Sequence, residues 1–125
     1  MKKITVLILL LAIFVAPRLF SQSAVYFCTS TGAFGYAYGY GDYSKALDEA
    51  YNSCISYGGT NPQLISSTEN KGYGSIALGT DANGNRVIGA ALGYSTSDAA
   101  EKEAKRVCSE YGGQNVYIHD TWNDY

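Results

Sequence analysis

A stretch of 25 residues occurs twice in this chain, and that duplication limits the fold more than any other feature. Gly35–Gly59 reads GYAYGYGDYSKALDEAYNSCISYGG, and Gly89–Gly113 reads GAALGYSTSDAAEKEAKRVCSEYGG. Offset by 54 positions without a gap, the copies match at 11 places, including Gly35/Gly89, Ala37/Ala91, Gly39/Gly93, Ala46/Ala100, Cys54/Cys108 and Gly59/Gly113. A repeat with a fixed period implies one supersecondary unit used twice. Whatever the first copy forms, the second forms again.

Each copy opens with a strand. Phe34, Tyr36, Tyr38 and Tyr40 alternate with Gly35, Ala37, Gly39 and Gly41, and period-two alternation places aromatic and small residues on opposite faces. The second copy places Ile88, Ala90, Leu92 and Tyr94 opposite Gly89, Ala91 and Gly93. A helix follows each strand. Asp42 and Thr96 are suited to accept from the free N–H groups of a first turn. Ala46, Ala50, Cys54 and Tyr57 then recur at helical spacing, as do Ala100, Ala104, Cys108 and Tyr111. Gly58 and Gly112 close the helices.

The remaining segments read as strands: Ala24–Ser30, Gln63–Thr68, Tyr73–Thr80, Arg86–Tyr94 and Asn115–Thr121, with Asn83-Gly84 as a hairpin turn. The order is ββαβ, twice, with repeats over about 24–70 and 73–122. The expected fold class is α+β in two layers: one mainly antiparallel sheet carrying both helices on one face.

Residues 1–23 read as a leader. Lys2 and Lys3 precede the apolar run Ile4–Val15, Pro17 breaks it, and Ser21, Gln22 and Ser23 follow. Cleavage after Ser21 or after Ser23 fits, giving a secreted or periplasmic protein with one domain over 24–125. Losing Lys2, Lys3 and Arg18 leaves the remainder near a net charge of about −5. That balance excludes nucleic acid and an anionic membrane surface as partners, because phosphate binding needs clustered Lys and Arg. Lys102, Lys105 and Arg106 alternate with Glu101 and Glu103, as on a solvated helix face. Three cysteines in an exported chain, Cys28, Cys54 and Cys108, predict one disulfide between two of them.

The G-Y-A-Y-G-Y strand, the capped helix with Ala-x3-Ala-x3-Cys and the partial repeat resemble the "domain of unknown function 4189" family of small exported bacterial proteins, over roughly residues 24–120. Family members carry additional cysteines at the start of the strand after each helix. Positions 61–63 and 114–115 hold none here. The resemblance implies export and a fold, and no activity.

Chemistry-bearing motifs are few. His119 is the single histidine, so a hydrolase or thiol enzyme would have to use it, or a cysteine, as its working group. Its neighbour Asp120 is expected on the other face of the strand. Asp81–Asn85 resembles a calcium loop, but Gly84 stands fourth and Leu92 twelfth, where such a loop requires Gly at six and Glu at twelve. No cofactor or metal motif stands out. The remaining signal is the row Tyr36, Tyr38, Tyr40, with rings about 6.7 Å apart along one strand. The favoured reading is a core face packed under the helices, because the matching residues Ile88, Ala90 and Leu92 of the second copy look like core; the other is an exposed platform for a glycan or protein. The sequence thus points to a non-catalytic binding or interaction module, with an exported enzyme or an inhibitor or immunity-type protein as alternatives.

Overall fold

The computed structural model describes residues 21–124. Residues 1–20 of the expected leader lie outside the described residues. Among the described residues, six strands and two helices run in the order β1 (Gln22–Phe27), β2 (Phe34–Tyr40), α1 (Tyr43–Ser56), β3 (Gln63–Thr68), β4 (Tyr73–Thr80), β5 (Arg86–Tyr94), α2 (Ser97–Glu110) and β6 (Gln114–Asn123). The α+β class, the antiparallel pairing and the duplicated ββαβ order are all present. β1 begins at Gln22, two residues before the expected domain start, and buries Gln22 and Ser23.

The layering differs from the sequence expectation. There are two three-stranded sheets, ordered β2-β1-β3 and β5-β4-β6, so each sheet is one repeat with its first strand in the centre. The sheets face each other across a core of Val25, Phe27, Ile76, Leu78, Ile88 and Trp122. α1 covers the outer face of one sheet through Ala24, Ala37 and Ala50, and α2 covers the other through Ala77, Ala91, Ala104 and Cys108. The layers therefore run helix, sheet, sheet, helix. Size complementarity explains this order: the small face of each sheet takes the alanine stripe of its helix, and the bulky faces fill the wider gap between sheets.

Gly35 and Gly89 show how close the helices approach. A Cβ on Gly35 would land on the Ala50 carbonyl oxygen and the Cys54 amide nitrogen; one on Gly89 would land on the same atoms of Ala104 and Cys108. Helix starts follow the expected caps. Asp42 Oδ1 accepts from the amides of Ser44 and Lys45 at 2.9 and 3.4 Å, and Thr96 Oγ1 from Ala99 at 3.1 Å. On the solvated face of α2, Arg106 pairs with Glu103 and Glu110.

Each edge strand carries a bulge. Tyr38 and Gly39 together oppose Ser23, and Leu92 and Gly93 together oppose Gly74. Gly39 and Gly93 have φ of 79° and 75°, the left-handed backbone that glycine adopts without cost. Ile65 is the extra residue of β3, and His119 is one of β6, where Asn115 and Val116 also oppose Gly79 together. Both bulge pairs recur at the 54-residue offset. They interrupt the free edges and so discourage pairing with another chain.

β2 lies across from β6, and β3 across from β5. Exchanging the repeats exchanges these two pairs, so the repeats are related by an approximate two-fold axis. Gly32 and Arg86, also 54 apart, meet near it: Arg86 Nη1 donates to the Gly32 carbonyl at 3.1 Å. Among the described residues no helix is long and apolar enough to cross a membrane.

Candidate functional site

The tyrosine row does not lie under the helices. Tyr36 and Tyr38 face β6 of the opposite sheet, because the helix takes the small face of β2. Tyr36 is half-buried and Tyr38 is 44 % exposed. Tyr40 leaves the row altogether. The bulge at Gly39 turns it to the helix side, where it packs against Ala24, Ala37 and Ala50. Strict alternation breaks at that one glycine.

What β2 presents to β6 is a ladder of rings. Phe34 and Tyr36 are stacked at 6.2 Å, and Tyr36 and Tyr38 at 6.4 Å. Trp122 lies parallel to both tyrosines, 5.4 Å from Tyr36 and 4.8 Å from Tyr38. His119 stands edge-on to Phe34 at 5.0 Å and to Tyr36 at 6.1 Å. Tyr36 Oη donates to Asp120 Oδ2 at 2.7 Å. Burial first, and then this bond, push the Tyr36 phenol well above its usual range, so it remains a donor.

Here the expectation for Asp120 is corrected. His119 is the bulge residue, so it and Asp120 both reach Tyr36 rather than pointing to opposite faces. The juxtaposition still forms no catalytic relay. Among the described residues His119 shares no hydrogen bond with a hydroxyl, thiol or carboxylate.

Beside the ladder opens a cleft of about 420 Å³, with Thr31, Phe34, Tyr36, Ser53, Tyr57, Arg86 and His119 in its wall. Arg86 lies over the Phe34 ring at 5.4 Å. The approximate two-fold axis generates a counterpart between β3 and β5, a groove of about 670 Å³ that Arg86 also lines. The two walls differ in chemistry. At the equivalent positions, Phe34, Tyr36, Ser53 and His119 are replaced by Ile88, Ala90, Val107 and Ile65. The second wall shows that the fold itself accepts aliphatic residues at these places.

The expected disulfide is absent: all three cysteines are buried free thiols. Cys54 and Cys108 belong to helices on opposite outer layers and cannot meet. Each donates instead to a backbone carbonyl at 3.5 Å, Cys54 to Ala33 and Cys108 to Val87, and burial raises both thiols. Cys28 differs. Its sulfur has Ser30 Oγ at 3.2 Å and Thr60 Oγ1 at 3.7 Å. Hydrogen bonds from Ser30, then Thr31, then the amides of Asn61 and Thr60 favour the thiolate and bring its pKa down to about 5.

Thiolate ultraviolet absorbance should therefore show a step with a midpoint near 5 that disappears in Cys28→Ser. Its folded pKa lies below the unfolded one, so its contribution to stability is complete only above the unfolded value, about 8.5, and falls away as pH drops towards 5. A midpoint in the ordinary thiol range would show that the cradle does not hold the anion.

Duplicated ββαβ units, two stacked sheets and one aromatic cleft define a small α+β sandwich. The chain belongs to the family described as domain of unknown function DUF4189, whose model matches residues 23–121. No curated protein and no solved structure matches it.

Alternation exposed Tyr36 and Tyr38 in the sequence. Arg86 and Trp122 carried no such signal, because only the pairing of the sheets brings Arg86 to the cleft and Trp122 to the ring ladder, whereas Tyr57 reaches the cleft from the end of α1 in the same repeat as Tyr36. The 54-residue offset itself could have flagged His119, which stands where the first repeat has Ile65.

Proposed function

We propose that this is a small exported, non-catalytic binding module, and that the β2–β6 cleft is where it takes its ligand, a glycan or a protein. One observation carries the reading. Two walls equivalent by duplication differ, and only one has exchanged aliphatic residues for rings, a hydroxyl and an imidazole. Packing does not demand that chemistry, since Ile88, Ala90, Val107 and Ile65 fill the matching positions. Partly exposed aromatic rings with polar tips are suited to recognition.

A pull-down from the native periplasm or medium tests this. The wild type should retain a partner that the double variant Ser53→Val, His119→Ile loses, since both replacements are the residues the other repeat uses. Equal capture by both proteins would remove the cleft from consideration.

Export is part of the same proposal. Cleavage after Ser21 would leave β1 whole, with Gln22 as its first residue. Cleavage after Ser23 would remove the Ser23 Oγ donor that reaches buried Asp124 at 3.1 Å. The intact mass of exported protein should therefore correspond to a chain beginning at Gln22. A mass beginning at Ala24 would exclude this choice of site, and a full-length mass would exclude a cleaved leader.

A further inference from the structure

Resting on that reading, we infer that the ligand of the β2–β6 cleft is an acidic saccharide, with its carboxylate on Arg86 and its ring against the Tyr36–Tyr57 wall. Among the described residues, Arg86 is the one permanently charged residue lining this cleft. The groove on the other side of the axis adds Asp81 to its lining and so opposes an anion there.

The guanidinium is held in place on two sides. It lies over Phe34 at 5.4 Å, and Nη1 donates to Gly32 O at 3.1 Å, which engages one of its five N–H donors. A planar fork fixed in this way suits a carboxylate better than a mobile ammonium would. The protein as a whole is acidic, so its long-range field does not gather anions. Selection must come from the local contact.

The rest of the lining favours a sugar over a peptide. Hydroxyls of Thr31, Ser53 and Tyr57 and the His119 ring stand among aromatic faces, and among the described residues Ala33 is the only aliphatic side chain in the wall. A peptide's aliphatic side chains would find their complement in the opposite groove, beside Leu64, Ile65 and Val107. Sugars present hydroxyls at the ring edge and C–H groups on the ring face, which matches alternating hydroxyl and aromatic partners. A volume of about 420 Å³ falls within the usual range for small-ligand sites.

Calorimetric titration of the full chain tests the inference with three probes: an oligogalacturonic acid, a neutral galactose oligomer of the same length, and a glutamate-rich peptide. The acidic oligosaccharide should bind best. Arg86→Gln should weaken it by about tenfold or more, as expected for losing a hydrogen-bonded charge pair. Arg86→Lys should recover part of that loss, and Ser53→Val with His119→Ile should weaken binding without unfolding the protein. Equal binding of the neutral oligomer, or an unaltered affinity in Arg86→Gln, would overturn the acidic specificity and leave the cleft as a binding site. Preference for the peptide would overturn the saccharide. Absence of binding by all three would overturn the inference, while the pull-down decides separately whether the cleft binds a partner.

Discussion

Gly89→Ala should be among the most damaging single substitutions in this protein, at a cost of about 3 kcal/mol or more. The added methyl would overlap the Ala104 carbonyl and the Cys108 amide, both in the backbone of α2. Neither atom can rotate away, so the whole helix must lift from β5. Lifting it would loosen Ala77, Ala91, Ala104 and Cys108 together. Gly35→Ala should act in the same way on α1, through Ala50 and Cys54. A domain of this size is typically stable by about 5–15 kcal/mol, so either change removes a large fraction of the total. Urea midpoints of both variants measure the effect. Gly41→Ala is the control, because nothing lies within 4 Å of a Cβ there. Near-native midpoints for Gly35→Ala and Gly89→Ala would mean that the helices do not approach the sheets as described.

Those glycines also mark what was legible in the sequence. Local chemistry set the bounds of β3, β4 and β5 and both helix caps, and these appear in the structure as read. Small residues in the strand opposite small residues in the helix already implied a close helix–sheet contact. Applied consistently, the same reasoning would have placed the tyrosines away from the helices. The reading of a single sheet failed because Ile88, Ala90 and Leu92 look like core whether a helix or a second sheet covers them. Apolar character reports burial, but not what does the burying.

The bulges divide in the same way. Gly39 and Gly93 recur in both copies, which hinted at a special backbone. Ile65 and His119 share a bulge but no residue type, so nothing in their identities announced it. The disulfide expectation, between any two of the three cysteines, rested on compartment chemistry, which says nothing about geometry: Cys28 and Cys54 share a small cluster, and both remain free thiols. The stacking order separates Cys54 from Cys108 by two sheets. For the cleft, β2 supplied its rings visibly, while Arg86 and His119 come from distant segments that only the two-fold arrangement unites.

Trp122→Ala should match the glycine variants in size, with a loss of about 3–5 kcal/mol. Only 6 % of the indole is exposed; it stacks on Tyr36 and Tyr38, and it lies on the Cα of Gly74, where any side chain would overlap it. Its N–H has no partner among the described residues, so packing rather than hydrogen bonding holds the ring. Removing it would open a cavity between the sheets at the end of β6. Tyr38→Ala should behave differently, because Tyr38 is 44 % exposed and mainly shields one face of the indole. That change should cost about 1 kcal/mol, closer to a surface substitution than to a core truncation. Trp122 is the only tryptophan, so its emission reports this site directly. In Tyr38→Ala the emission should shift to the red while the urea midpoint moves little, since water gains access to a ring that stays in place. Trp122→Ala should lower the midpoint strongly. A small loss in Trp122→Ala would show that the ring ladder does not clamp the sheets and that its stacking serves ligand contact alone. A large loss in Tyr38→Ala would assign Tyr38 to the core rather than to the exposed end of the ring ladder.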